Sequence, residues 1–464
     1  MAFLMSGTEI KNGVINGKIK LAIIGLGQVG LPLALHFAKA GASVTGADID
    51  KRKIRLIKQG VCPINIDSVT ELFNQVHDKD NLHVTSEISE AVTDSQVHIL
   101  CVSIPPGNND LPDITALVAG ADTVGKNLKK GNLIILESSV YSGFTTKLVK
   151  PTLEKSSGLR AGEDFGLAQC FEHANHGNTI HAINNTTKAI GAIDERSAAA
   201  ASGIYSAIGT APVIKMQNCE TDEPVNLVEN AYQNVNIAFA NEVALFCHKL
   251  GVDALEMLEA APTKWSFVPY IPSGGVGDTC IPVNPHHLTK RVTDKGPDLK
   301  SVQPERTTNA SMPHHMVELI MEAVAKIKKP IGQTRICILG LACAEIDDSR
   351  GAPGEVIANE LKQLGATVIC HDPVVTSAAQ GLNFEGSFEK AIKDSDCIVI
   401  TTEHTFFKSL NLPHIVELSN TPLAIVDGKH MVVPKEATGL GIIYLGLGQT
   451  KDSERGIWNV KLKR

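Results

Sequence analysis

The sequence predicts an α/β protein: two doubly wound parallel sheets, one toward each end of the chain, joined by a central helical region. Three observations predict it. A strand, helix, strand pattern with a glycine-rich turn begins near Lys20, the same grammar returns at Arg335, and the stretch between them reads as long amphipathic helices. With 464 residues and 43% hydrophobic content the chain can bury several cores, which at ordinary domain sizes means two or three domains.

The elements follow in order. From Lys20 the strand-like run "KLAIIGLGQVG" leads into "LPLALHFAKAG", whose apolar residues recur at helical spacing, and then into a second strand, "ASVTGADID". Two long segments then carry helical periodicity: "DEPVNLVENAYQNVNIAFANEVALFCHKLG", with no proline after Pro224, and "MPHHMVELIMEAVAKIKK". "TDKGPDLKSVQPERTT" has the proline, glycine and polar content of a surface loop, and "IKKPIGQ" that of a linker. Beyond the linker come the strand "RICILGLACAE", the helix "GEVIANELKQLG" and the strand "ATVICHDP". The expected domains are 18–210, 211–328 and 329–464.

Composition narrows the function classes. A formal charge of -7 and no long basic run leave no footprint for a phosphate backbone, so nucleic acid is excluded as a partner. The apolar start "MAFL" is too short for a signal-peptide core or a membrane span, and the chain reads as cytoplasmic with no membrane partner. Ten cysteines lack close paired spacing, and Cys101, Cys337 and Cys397 sit inside apolar runs as buried small hydrophobes. His173, His176 and His181 share a polar stretch, and His286, His287, His314 and His315 form adjacent pairs, but none has the companions of a zinc site. No metal is expected.

The first glycine cluster carries chemistry. Gly25, Gly27 and Gly30, with Leu26, Gln28 and Val29 between them, form GxGxxG between a strand and a helix, where backbone can approach a pyrophosphate at the helix N-terminus. Asp48 ends the next strand, placed to accept both ribose hydroxyls of NAD and to repel a 2'-phosphate; Arg52 and Lys53 nearby leave NADP open. Gly340 and the residues after it lack the full fingerprint, so the second sheet takes a different nucleotide group or none. In "GGVGDTCIPVNPHHL", glycines and prolines impose a shaped loop around one thiol, Cys280, which is either a nucleophile or a structural cysteine.

The stretches "AIIGLGQVGLPLALHFAKAG", "ESSVYSGFT", "LVENAYQNVNIAFANE", "TKWSFVPYIPSGGVGDTCIPVNPHHL", "ASMPHH", "DDSRGAP" and "IVDGKH" occur in the order seen in the UDP-glucose/GDP-mannose dehydrogenase family, and the chain most resembles its UDP-N-acetylhexosamine branch. The resemblance covers roughly residues 20 to 450. It implies two Rossmann-like domains and an enzyme that takes the C6 alcohol of a nucleotide sugar to a carboxylate with two NAD molecules, through a thiohemiacetal and a thioester on cysteine. Cys280 occupies the nucleophile's position, Glu172 that of a glutamate managing the hydrolytic water, Ser139 that of a hydroxyl near the nicotinamide, and Asn230 that of an amide holding sugar or oxyanion. Arg350, Lys53, Val102 and Pro105 fall on the cofactor side. Tyr270, Gly274, Gly275, Val276, Gly277 and Lys429 fall on the substrate side, with Glu172, Asn226 and Asn230.

The departures are grouped. Asn226 stands for a lysine and Asn284 for an aspartate, so one cation and one anion are lost together and the local net charge is kept. His173, Thr279, Gln233 and Ala344 also differ from the pattern. Three readings follow in order: a full 6-dehydrogenase with a neutralised site, an enzyme with altered redox chemistry such as single hydride transfer or epimerisation, and a non-catalytic nucleotide-sugar-binding paralogue. The apolar face of "NLVENAYQNVNIAFANEVALF" needs a cover, which predicts a homodimer as the minimal unit, with higher assembly open.

Overall fold

A computed structural model describes residues 5–64, 66–104, 113–171, 183–277, 302, 304–342, 349, 351–375 and 381–456, the side chains of 304–306 excepted. The chain forms two compact units that meet in sequence between Glu229 and Asn230.

The first unit carries an eight-stranded sheet. Its strands are β1 (Lys20–Ile24), β2 (Ser43–Ala47), β3 (Leu82–Thr85), β4 (Val97–Leu100), β5 (Leu133–Leu136), β6 (Gly166–Gln169), β7 (Lys188–Ala192) and β8 (Val213–Lys215). They lie in the order β3-β2-β1-β4-β5-β6-β7-β8, parallel throughout except for the antiparallel pair β6 and β7. Strands β1, β4 and β5 are almost entirely buried, as parallel strands covered by helices on both faces must be. The order reverses between β1 and β4, and the crevice at such a switch point is where doubly wound sheets bind ligands.

The second unit repeats the architecture with β9 (Arg335–Leu339), β10 (Thr367–His371), β11 (Cys397–Ile400), β12 (Ala424–Asp427) and β13 (Ile443–Gly446), all parallel, in the order β10-β9-β11-β12-β13. Its switch point lies between β9 and β11. Cys101, Cys337 and Cys397 are all buried in these sheets. Among the described residues no helix is long and apolar enough to cross a membrane.

Both long helical segments start earlier than their sequence patterns. The first runs Cys219–Leu250 and contains Pro224. A proline there removes the hydrogen bond to the carbonyl four residues back, that of Glu220, and the Ser142 hydroxyl donates to this same carbonyl at 3.0 Å. The second runs Pro304–Lys326, so the last part of the expected surface loop is helix, with a proline at its first position where no N–H is needed.

Candidate active site

The glycine turn after β1 is set by close approach. Gly25 has φ +94°, and a Cβ there would stand 2.6 Å from the Cys101 carbonyl oxygen; one at Gly30 would stand 1.8 Å from the carbonyl of Gly25 itself. Gly27 differs. Among the described residues a Cβ there would meet only Ser103 Oγ, at 3.9 Å, so nothing described crowds this glycine. The helix Gly30–Lys39 begins beside it with no side-chain cap at Val29, and its first N–H groups are the kind that bind phosphate. Leu26 and Gln28 complete the turn, and Val102 lies at the neighbouring end of β4, its carbonyl accepting from Ser138 Oγ at 2.7 Å.

Asp48 is buried at the end of β2. Its Oδ2 accepts from Leu26 N at 2.8 Å and from Lys53 Nζ at 2.6 Å, and its Oδ1 accepts from Asp50 N at 2.9 Å. One carboxylate thus ties the glycine turn to the start of helix Lys51–Lys58, whose N-cap is Asp50. Ile49, beside it, is 76% exposed, an apolar platform at the rim of the cradle. A glycine turn with room at Gly27, an uncapped helix N-terminus and a strand-end acid are the features that fit NAD.

Ser139 follows β5, and Asn226 Nδ2 donates to its Oγ at 2.6 Å. The pairing is held from one turn earlier on the helix, where buried Glu223 accepts from Gly143 N and from Thr145 N, the latter at 2.6 Å. Thr145 opens a short π-helical segment, Thr145–Val149, and its hydroxyl bonds Gln169 Oε1 at 3.2 Å, while Gln169 Nε2 donates to Ser138 O at 3.3 Å. Burial raises the Glu223 carboxyl pKa against the opposing pull of the Thr145 hydrogen bonds. Sequence reasoning missed Glu223: an acid near a helix start reads as a dipole partner, and nothing local reveals a loop eighty residues back.

The second unit gathers another set. Lys429 follows β12, and its Nζ donates to Ser273 Oγ at 3.0 Å, while Gly274 N donates to Gly428 O at 3.1 Å. Ser273, Gly274 and Gly275 are buried, and Val276 and Gly277 half-buried. The Lys429 turn is pinned by wholly buried Asp427, which accepts from Lys429 N at 2.9 Å, Val432 N at 2.8 Å and Tyr444 OH at 3.3 Å. Burial pushes the Asp427 carboxyl upward. Tyr270 meets Tyr232 edge to face at 6.1 Å. Asn230 is half-buried and Gln233 exposed on the long helix.

The second sheet repeats one contact of the first sheet's turn where its sequence lacks the fingerprint. Gly340 has φ +110°, and a Cβ at Gly354, in the helix Pro353–Gln363, would stand 2.2 Å from the Gly340 carbonyl, the same contact that Gly30 makes with Gly25 across a shorter stretch of chain. Pro353 ahead of Gly354 in "GAPGEV" was the legible trace of this helix start. Asp372 after β10 takes the position of Asp48, but it is fully consumed: Leu341 N, Ala342 N, Val374 N, Val375 N and His404 Nε2 all bond it between 2.7 and 2.9 Å. Burial opposes its charge, yet His404 and these N–H groups hold Asp372 well below the usual carboxylate range. It is a structural staple with no oxygen offered outward.

Of the remaining expected site residues, Glu172, Cys280, Asn284, Pro105 and Arg350 lie outside the described residues, as do His173, Thr279 and Ala344.

Comparison with known proteins gives three consecutive matches to models of the UDP-glucose/GDP-mannose dehydrogenase family: the NAD binding domain over residues 19–209, the central domain over 220–311 and the UDP binding domain over 337–434. The UDP-N-acetyl-D-mannosamine dehydrogenase of Pyrococcus horikoshii is 33% identical over 436 residues, covering 93% of this chain and 99% of the relative. The UDP-N-acetyl-D-glucosamine 6-dehydrogenase of Pseudomonas aeruginosa is 31% identical over 424 residues, covering 89% and 97%. Among solved structures, that of the Pyrococcus horikoshii UDP-D-ManNAc dehydrogenase matches with a TM-score of 0.83 at 31% identity, covering 94% of this chain and all of the other.

Proposed function

The chain belongs to the UDP-glucose/GDP-mannose dehydrogenase family, and from that premise we propose that it oxidises the C6 alcohol of a UDP-N-acetylhexosamine to a carboxylate. The observation that carries the reading is the full-length likeness to relatives named for UDP-N-acetylmannosamine and UDP-N-acetylglucosamine, joined to a glycine turn that fits NAD. The turn from Gly25 to Gly30 receives the diphosphate and Asp48 the adenosine ribose, with Lys53 alongside. Bound there one after the other, two NAD molecules would supply the acceptors for the two hydrides that leave C6.

The chain's own groups do the rest. The Cys280 sulfur adds to the C6 aldehyde, the adduct loses a second hydride to become a thioester, and water directed by Glu172 and Ser139 cleaves it to acid and free thiol. Asn226 donates to Ser139 Oγ, which leaves the Ser139 proton free to point at the reacting oxygen. With a neutral amide where the family resemblance places a lysine, Asn226 brings no positive charge to favour a thiolate, and cysteine-dependent turnover is expected to rise with pH.

The neutral Asn226 is also what favours a second reading, in which oxidation stops after one hydride or returns it to invert a centre. Counting NADH formed per sugar decides between them. With UDP-N-acetylhexosamines, two NADH per sugar and an acid product are expected; one NADH, or an isomerised sugar with none, establishes the second reading, and no turnover with any UDP- or GDP-sugar rejects both.

A further inference from the structure

Three buried amides form a directed chain inside the second unit. Asn309 Nδ2 donates to the backbone oxygen of Asn234 at 3.0 Å and to its Oδ1 at 2.6 Å; Asn241 Nδ2 donates to Asn309 Oδ1 at 2.9 Å; Asn241 Oδ1 accepts from Ser273 N at 2.8 Å. Asn234, Asn241 and Asn309 are 3%, 0% and 7% exposed. Each amide's orientation is dictated by the next, because flipping Asn241 would set two donors together at Ser273 N and two acceptors together at Asn309. The first two rest on the helix Cys219–Leu250 and the third on Pro304–Lys326, both rigid supports.

The chain ends at function. Ser273, held by its N–H, donates its hydroxyl to Gly275 O and receives Lys429 Nζ on the same oxygen, spending one of three ammonium protons. We propose that Asn241 and Asn309 are positioning residues, which lock the Ser273–Gly277 loop and, through Ser273, aim the two remaining protons of Lys429 at the anionic nucleotide of the substrate. Apolar residues of similar volume would hold the helices together at no polar desolvation cost, whereas a fully satisfied polar chain selects one geometry.

This rests on the nucleotide-sugar reading, so the test separates the two. UDP affinity is measured by calorimetry on the full chain, with NAD affinity as control, for wild type, Asn241→Leu, Ser273→Ala, Lys429→Met and the Asn241→Leu/Lys429→Met double variant. UDP binding weakened about tenfold in Asn241→Leu, with NAD binding unchanged and no further loss in the double variant, is the expected coupling for residues acting through one partner. If Asn241→Leu does not fold, Ser273→Ala, which deletes only the last link, is expected to show the same loss. Unchanged UDP affinity, or a loss that adds fully to that of Lys429→Met, overturns the proposal. Wild-type protein that ignores UDP sinks the nucleotide-sugar reading instead; amide exchange at Gly274–Gly277 then still judges the relay, which requires faster exchange in the variants and fails if their rates match wild type.

Discussion

At the scale of single residues, the second and third glycines of the first turn, Gly27 and Gly30, have separable roles. A methyl group at Gly30 meets backbone at 1.8 Å, which no side-chain motion relieves, whereas among the described residues one at Gly27 meets nothing nearer than 3.9 Å. Gly30→Ala is therefore expected to lower stability by about 2 kcal/mol or more, while Gly27→Ala keeps its melting temperature and loses NAD affinity by roughly tenfold or more; melting curves and NAD titrations of both variants check this, and equal stability loss in the two would refute it. His98, wholly buried in β4, gives a pH prediction. Burial in the apolar sheet pushes its pKa from 6.5 down to about 4. The unfolded chain binds the proton first, so the stability tied to neutral His98 is complete above about pH 6.5 and is lost as pH falls toward 4. By pH 5 that loss is about 2 kcal/mol, and His98→Leu should escape it. Melting temperatures of the two proteins that stay parallel from pH 7.5 to 5 would contradict this account.

At the scale of elements, the helix Cys219–Leu250 holds partners within each unit through different mechanisms. Its first turns, acidic and containing Pro224, are completed by partners from the segment after β5: Ser142 on the freed carbonyl, Gly143 and Thr145 on Glu223. Its later turns bury Ala231, Asn234, Ala238 and Asn241 at the three- and four-residue spacing of one helix face. Another face leaves Val228, Tyr232, Phe239, Phe246 and Leu250 more than half exposed, at spacings of four and seven. Such a stripe on a single chain calls for a cover, and a second copy offers the same stripe in return. Light scattering is expected to return a dimer for wild type and a single chain for Phe239→Asp/Phe246→Asp; a wild-type monomer at micromolar concentration would end the dimer proposal.

At the scale of the whole molecule, one close approach of glycine to glycine appears twice, with the nearby acid used differently. Asp48 pairs with Lys53, a flexible cation at the rim, while Asp372 is closed off by His404 and four backbone N–H groups. The first acid keeps a little exposure and a cation partner that can move, while the second is wholly enclosed, in domains that match the NAD and UDP binding models in that order. Hydrogen exchange on the full chain tests the division. At a hundredfold excess over Kd, NAD is expected to slow exchange about a hundredfold in the Gly25–Gly30 turn, and UDP to do so at Ser273–Gly277 and after Asp427. UDP protection centred on the Gly25–Gly30 turn would reverse the assignment.

The sequence by itself determined the fold class, both sheets, the first glycine turn, the strand-end acid Asp48 and the neutral Asn226, because periodicity and turn chemistry are written in residues a few positions apart. Lys53, five residues from Asp48, belongs to that local code. Only the tertiary structure decided that Asn226 meets Ser139, that Glu223 clamps Gly143, that Gly354 completes a turn begun at Gly340, and that Asn241, Asn309 and Ser273 stand behind Lys429. Sequence names which side chains can donate or accept. Which of them bond depends on what packing removes from water, since a buried polar group must be satisfied by whatever the fold brings within about 3 Å, however distant in the chain.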